Sequence, residues 1–124
     1  MKEEVGEIIS ILNEIKKWII FLGWQKASEL IYENIKSEKE ILIYHLTDGK
    51  HSIRDIISEM EEYGYKTSYG AINNLWKKWA KIGIVESIPY GPGYRQKRLF
   101  DLEKFGYELP KKTKRNNKME NHEN

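Results

Sequence analysis

The sequence predicts a mainly α-helical protein with one small β-hairpin, and three observations lead to this fold class. Apolar residues recur every three or four positions over most of residues 5–82, which is the period of a helix with one buried face. Hydroxyl residues stand where several of these segments begin, as helix N-caps do. After residue 83, short apolar runs flank a glycine-rich tip, which is typical of two strands joined by a turn.

The first predicted element is a helical arm over residues 1–36. Its main apolar residues are spaced three, four, three, four, three, which is the a/d rhythm of a coiled coil. This seam consists of Val5, Ile8, Leu12, Ile15, Ile19 and Leu22. We expect the seam to join copies of the chain in an intermolecular helix pair or bundle, with a homodimer as the expected assembly. Because Ile9, Ile11, Trp18 and Ile20 widen the apolar face, packing of the arm on its own domain is the alternative. Gly23 indicates a bend or a weak point.

Two short capped helices are predicted next. The segments Ser37-Glu38-Lys39-Glu40 and Ser52-Ile53-Arg54-Asp55 both place a carboxylate three residues after a hydroxyl. In such a capping box each side chain accepts a hydrogen bond from the backbone amide of the other residue. The polar turn Thr47-Asp48-Gly49-Lys50 separates the two helices, and the second is expected to end near Tyr63-Gly64.

A longer basic helix is predicted over residues 67–82. Its apolar residues recur at helical spacing, so its two tryptophans are expected to pack in the core rather than stack on nucleobases. The stripe consists of Ile72, Trp76, Trp79 and Ile82. Thr67 or Ser68 is the expected N-cap, and Gly83 follows the helix end. Residues 84–89 and 97–102 are then predicted to pair as strands around the Gly-Pro-Gly tip.

This order of elements resembles the winged helix-turn-helix domain of small prokaryotic and archaeal transcription regulators. The likeness is carried by residues 76–85, Trp-Lys-Lys-Trp-Ala-Lys-Ile-Gly-Ile-Val. They are similar to Leu-x-x-Leu-x-x-Leu-Gly-Leu-Val at the end of that family's recognition helix, with Trp at two Leu positions. The resemblance covers residues 37–109. It implies a homodimeric regulator that binds double-stranded DNA, with helix 67–82 in the major groove and wing 84–102 on the minor groove or backbone.

Candidate DNA contacts follow from helical phase and from side-chain chemistry. Asparagine suits adenine, whereas lysine and arginine suit guanine or phosphate. The candidates on the helix are Ser68, Tyr69, Asn73, Asn74 and Lys77 for bases, and Lys78 and Lys81 for phosphates. Adjacent helical residues point about 100° apart, so the two asparagines are not both expected on bases. The candidates on the wing are Tyr94, Arg95, Lys97 and Arg98. Strand alternation separates Arg95 and Lys97 from Gln96 and Arg98, so one set is expected to face away from DNA.

The charge distribution indicates a polyanionic partner for the second half. Residues 1–65 hold eight Lys and Arg against thirteen Asp and Glu, whereas residues 66–115 hold twelve against four. The tail, residues 110–124, is predicted to be disordered because it is almost devoid of apolar residues. Its cations closest to the domain could reach a backbone phosphate. They are Lys111, Lys112, Lys114 and Arg115.

Other classes of function find no support in the sequence. The absence of cysteine excludes disulfides and thiolate metal sites. His45 and His51 flank a turn with no acid at metal-ligand spacing, and no known catalytic motif occurs, so we expect no enzyme activity, metal, cofactor or small-molecule effector. The longest uncharged apolar run, residues 18–24, is too short to span a bilayer, which favours a cytoplasmic protein. The abundance of Lys, Ile and Glu is compatible with a thermophile or an AT-rich genome. A winged-helix adaptor that binds protein is the alternative function.

Overall fold

The computed structural model describes residues 1–112, in which four helices precede a two-stranded antiparallel hairpin. The elements are α1 (Lys2–Asn34), α2 (Glu38–Leu46), α3 (Ile53–Glu62), α4 (Tyr69–Ile82), β1 (Val85–Tyr90) and β2 (Gly93–Arg98). The mainly α-helical class with one hairpin is confirmed. The chain divides into two compact units, Met1–Glu33 and Asn34–Asn124. The predicted disorder of residues 113–124, which include Lys114 and Arg115, lies outside the described residues.

Helix α1 runs without a break through Gly23. No other part of the structure lies within 4 Å of a Cβ built on that glycine, so the position imposes no packing constraint. The six seam residues predicted for dimerisation are between 47 and 64% exposed. The seam is thus present along one face of a single helix.

The predicted caps of α2 and α3 are confirmed. The Ser37 hydroxyl accepts from the Glu40 amide at 3.1 Å, and the Glu40 carboxylate accepts from the Ser37 amide at 3.1 Å. Ser52 and Asp55 form the same reciprocal pair at 3.1 and 2.9 Å. Because each box satisfies amides that have no partner within the helix, both short helices have fixed starting points.

Tyr44 and Trp79 form the centre of the core of the second unit. Their rings are fully buried and meet edge to face, with centroids 5.2 Å apart. The Tyr44 hydroxyl donates to the Ile84 carbonyl at 2.7 Å and accepts from the Phe100 amide at 3.2 Å. Burial raises the pKa of Tyr44 to about 12, so its hydroxyl stays protonated and keeps donating. Trp76 is also buried, which confirms the core assignment of both tryptophans.

Buried Thr47 connects α2, α4 and β2. Its hydroxyl donates to the Ile43 carbonyl at 2.7 Å and accepts from the indole of Trp76 at 3.0 Å. Its carbonyl accepts from the Arg98 amide at 2.7 Å. One residue at the end of α2 therefore fixes both the basic helix and the hairpin.

The predicted bounds of the second strand were wrong. Residues 97–102 were expected to form it, but β2 is Gly93–Arg98 and begins directly after a two-residue turn, with Tyr90 opposite Gly93. The positive φ of Gly91, 58°, at the first turn position allows this tight connection. The residues that follow leave the sheet, and Leu102 is buried in a short 3-10 helix, Leu102–Phe105.

The turn between α2 and α3 pairs with the hairpin. An isolated bridge joins Asp48 to Lys97, and the Gly49 amide donates to the Gln96 carbonyl at 2.9 Å. Gly49 has a φ of 82°, and a Cβ at this position would lie 2.5 Å from Cδ1 of Ile88. The hairpin thus packs closely against Gly49, where the left-handed backbone and the nearby Ile88 methyl group both disfavour a larger residue.

Replacing Gly49 with alanine is expected to lower the free energy of unfolding by about 1–3 kcal/mol, since a left-handed backbone disfavours a Cβ and the new methyl meets Ile88. Gly83→Ala is the matched control: its φ is 83°, but no atom lies within 4 Å of the added Cβ. Urea denaturation of both variants measures the difference. An equal loss in the two would show that the contact with Ile88 has no cost.

Candidate nucleic-acid interface

The exposed face of α4 lies directly opposite its buried stripe. The Ser68 hydroxyl caps the helix by accepting from the Ala71 amide at 3.2 Å, which confirms one of the two expected N-caps. At about 100° per residue, the positions that point away from the stripe share one line along the helix. They are Gly70, Asn74, Lys77 and Lys81, and all four are exposed.

The structure distinguishes the two asparagines. Asn74 belongs to the outward line and is exposed, whereas Asn73 lies at the flank of the helix and is half-buried. Lys78 is exposed beside the line, and Tyr69, at the first turn, is 55% exposed. Of the two adjacent amides, Asn74 is therefore the more accessible to a partner.

No acidic residue occurs in α4, so its exposed face has only cationic and uncharged side chains. The unfavourable field of a nearby carboxylate would weaken any contact with a polyanion. In the hairpin, Glu86 is the one acidic residue of the two strands, and it stands opposite Lys97 in the register. We call this exposed face the α4 surface. It consists of Ser68, Tyr69, Gly70, Asn74, Lys77, Lys78 and Lys81.

Arg95 is engaged within the protein. Its guanidinium lies 3.6 Å from the ring centroid of Tyr90 and 3.9 Å from Oδ2 of Asp55, and it also donates to the Lys50 carbonyl. These contacts join the hairpin to the start of α3. Arg95 thus holds the hairpin in place in the free protein.

Arg98 also bonds within the protein. Its Nη1 donates to the His45 carbonyl in the last turn of α2 at 2.5 Å, where carbonyls lack helical partners. Together with burial, the positive charge of Arg98 lowers the pKa of His45, burial being the larger cause. Both wing arginines were candidate DNA contacts, with one of the two strand sets expected to face away from DNA. Their contacts within the protein were not anticipated, because the partners are 45 and 53 residues away in the chain.

Tyr94 and Lys97 are the hairpin candidates with free surface. Tyr94 is 74% exposed at the tip, and the side chain of Lys97 is exposed on β2. Gln96 faces Ser87, to whose hydroxyl its amide donates at 2.7 Å. Alternation along the strand puts Arg95 and Lys97 on the same side of β2. The two nevertheless differ, because the Arg95 side chain is largely covered and that of Lys97 is exposed.

A cleft brings α3, α4 and the hairpin tip together. Tyr69 and Tyr94 contribute to its walls, as does exposed Arg54 from the first turn of α3. Arg54 was not among the sequence candidates, although its place just after the Ser52 cap could have suggested a helix start that faces a partner. The candidate Tyr69 therefore lies in the same cleft as Tyr94 of the hairpin.

Two further predicted groups have partners in the structure. Lys112 pairs with Glu62 at 3.2 Å, and this hydrogen bond raises the pKa of Lys112, while Lys111 is exposed. His51 lies 2.9 Å from the carboxylate of Asp48 and 3.7 Å from that of Glu59. Partial burial acts to raise the pKa of Asp48, but hydrogen bonds from His51 and from the Lys50 amide outweigh it and hold that pKa below its usual value.

Within residues 1–112, no group of three or more His, Cys, Asp or Glu side chains is arranged to bind a metal ion. In the same range, no helix has both the length and the apolar character that crossing a membrane requires. Comparison with known proteins gives no relative: no family model, no curated protein and no solved structure matches the chain.

Proposed function

We propose that this protein is a double-stranded DNA-binding transcription regulator of the winged helix-turn-helix class. In this proposal α4 enters the major groove and the β1–β2 hairpin is the wing. The observation that carries it is the α4 surface, on which Asn74, Lys77 and Lys81 point outwards from a helix without a single acidic residue. The major groove is about 12 Å wide and admits such a helix.

The chemistry of the α4 surface suits base edges and phosphates. Asn74 can form two hydrogen bonds with adenine, and Lys77 can reach guanine or a phosphate. Lys78 and Lys81, nearer the end of the helix, are assigned to the DNA backbone. Asn73 is assigned a weaker role because its side chain is half-buried.

The wing supplies the second contact. We assign direct contact to Tyr94 and Lys97, which have free surface, and a positioning role to Arg95 and Arg98, which bond within the protein. The bridge between Asp48 and Lys97 supports this arrangement, because it ties the turn after α2 to the wing. Arg54, at the cleft beside the tip, is added as a phosphate contact.

Self-association through α1 completes the proposal. The exposed seam would pair copies of the chain, as in many regulators that read inverted repeats. A two-fold pair favours half-sites about 34 Å apart, or a multiple of that distance. The location expected for such a regulator is the cytoplasm.

Titration of the full chain with duplex DNA at several salt concentrations tests the proposal. Binding should weaken steeply with salt, because each phosphate contact releases counterions and adds about 0.9 to the slope of log K against log salt. Selection of bound sequences from a random library then separates specific from architectural binding. Failure to bind any duplex at low ionic strength would contradict the proposal and favour a protein adaptor, for which the exposed apolar face of α1 is the supporting observation.

Gly70→Ala is expected to stabilise the protein and to weaken its binding to DNA. The fold leaves open space around Gly70, so alanine should raise the free energy of unfolding by about 0.5–1 kcal/mol through its helix propensity. The added methyl group would lie on the outward line of α4, where close approach to the groove leaves little room. Thermal unfolding and duplex titration measure the two effects. A more stable variant with unchanged affinity would show that this turn does not approach DNA closely.

A further inference from the structure

Helix α1 carries enough exposed apolar surface for a protein interface. Twelve large apolar side chains from Val5 to Trp24 are about half exposed in the single chain. Three of them are aromatic, at roughly 150–250 Å² each when whole, and nine are smaller aliphatic side chains, so at half exposure they offer on the order of 1,000 Å². The largest apolar patch on a typical monomer is about 300–600 Å², and each partner in a stable interface contributes about 800 Å².

The apolar surface is too wide for contact with one helix. When successive residues are placed about 100° apart, all of the twelve except Phe21 and Trp24 fall within one arc of about 200°. From Val5 to Leu22, Lys16 is the one charged residue in that arc. A two-helix seam needs only a narrow stripe, whereas a helix in a four-helix bundle packs against two neighbours. The width of the arc therefore requires two neighbouring helices.

The positions that flank the seam support the same conclusion. In a two-stranded coiled coil the e and g positions carry charged side chains that pair between helices. In α1, three of these positions are apolar: Ile9, Ile11 and Trp18. The exposed fraction of Trp18 is 64%, and within the described residues the one ring contact of this large side chain is with Phe21 of the same helix, with centroids 6.0 Å apart. A second neighbour would bury these flanking residues.

The charges of α1 complement a second copy of α1 in the opposite direction. Residues 2–14 contain one lysine and four glutamates, whereas residues 16–26 contain three lysines and no acid. Parallel neighbours would place the acidic segments side by side. Antiparallel neighbours place each acidic segment beside a basic one, which favours another copy of this chain as the partner.

We propose that α1 assembles four copies of the chain into an antiparallel four-helix bundle. This inference goes beyond the pairing proposed above and depends on α1 alone, so it holds whether or not the α4 surface binds DNA. If that surface does bind DNA, one assembly presents four copies of it.

The mass of the full chain in solution, measured by light scattering without DNA, tests the bundle. The expected mass is four times the 14.8 kDa chain mass. Ile11→Lys combined with Trp18→Lys should halve the assembly mass, because it removes the flanking contact and leaves the seam. The control, Ser10→Lys combined with Asn13→Lys, adds the same charges to the polar face and should leave the mass unchanged. A wild-type mass of one or two chains at all concentrations up to about 100 μM overturns the proposal.

The direction of the helices is tested by disulfide crosslinking, for which a chain without cysteine gives no background. One batch carries Glu4→Cys and another carries Gln25→Cys, and the two are mixed and oxidised. Antiparallel neighbours bring the two positions together, so mixed crosslinks should dominate. If crosslinks form mainly between two Glu4→Cys chains, the neighbouring helices are parallel, which would contradict the antiparallel arrangement.

Discussion

Joint replacement of Lys77 and Lys81 by alanine is expected to weaken duplex binding about 100-fold at low salt, since each charged contact contributes about 1.5 kcal/mol. Both ammonium groups stand on the outward line of α4, opposite the buried stripe. The slope of log K against log salt should also fall in magnitude, by about 1 if Lys77 contacts a base and by about 2 if both lysines contact phosphates. Fluorescence anisotropy with a labelled duplex, repeated over a range of salt concentrations, measures both quantities.

The matched control for this variant removes two lysines from elsewhere on the surface. Lys17 and Lys36 are exposed and lie outside α4, so Lys17→Ala with Lys36→Ala changes the net charge by the same amount. The control should keep nearly all of the wild-type affinity. If both double variants lose affinity equally, binding depends on net charge alone and the α4 surface is not the contact.

Trp79→Ala is expected to lower the free energy of unfolding by about 3–5 kcal/mol, the usual cost of removing a buried tryptophan. Trp79 is fully buried, and its loss also removes the edge-to-face contact with Tyr44. A domain of this kind has about 5–15 kcal/mol in total, so the variant should be partly unfolded at moderate temperature. Urea denaturation followed by circular dichroism measures the change.

Tyr94→Ala is the control for the tryptophan variant, because it removes an aromatic ring that is mostly exposed. Its free energy of unfolding should change by less than about 0.5 kcal/mol. The outcome that contradicts the description of the core is a similar loss in both variants. Trp79→Phe provides a further comparison, since it keeps a ring against Tyr44 and should lose less than alanine does.

Local signals in the sequence predicted most of the fold. Ser37 and Ser52 stand at capping boxes whose partners are three residues away, and the apolar stripe of α4 needs only its own period to be recognised. The core positions of Trp76 and Trp79 followed from the same period. These features depend only on residues a few positions apart in the chain, so a single sequence is enough to predict them.

Features that depend on distant residues were not predictable in the same way. Arg95 and Arg98 are basic residues beside a hairpin tip, and nothing local reveals that carbonyls of Lys50 and His45 bind them. The start of β2 depends on which glycine at the tip adopts a positive φ and so forms the turn. Gly91 and Gly93 could both do so from the sequence, and the structure has Gly91 in the turn and Gly93 in the strand. Deciding which of Asn73 and Asn74 is more exposed required the direction of the buried face of α4 to be known more closely than the angle of about 100° between adjacent residues.

Thr47 has a consequence for the thermodynamics of binding. Its bonds to Trp76 and Arg98 hold the basic helix and the hairpin in one arrangement before any partner is present. A protein that is ordered in advance loses less conformational entropy on association, so more of the contact energy appears as affinity. In Thr47→Val the hydroxyl is absent and the indole of Trp76 is left without its acceptor. In calorimetric titrations with duplex DNA, we expect Thr47→Val to show a more unfavourable entropy of binding than the wild-type protein.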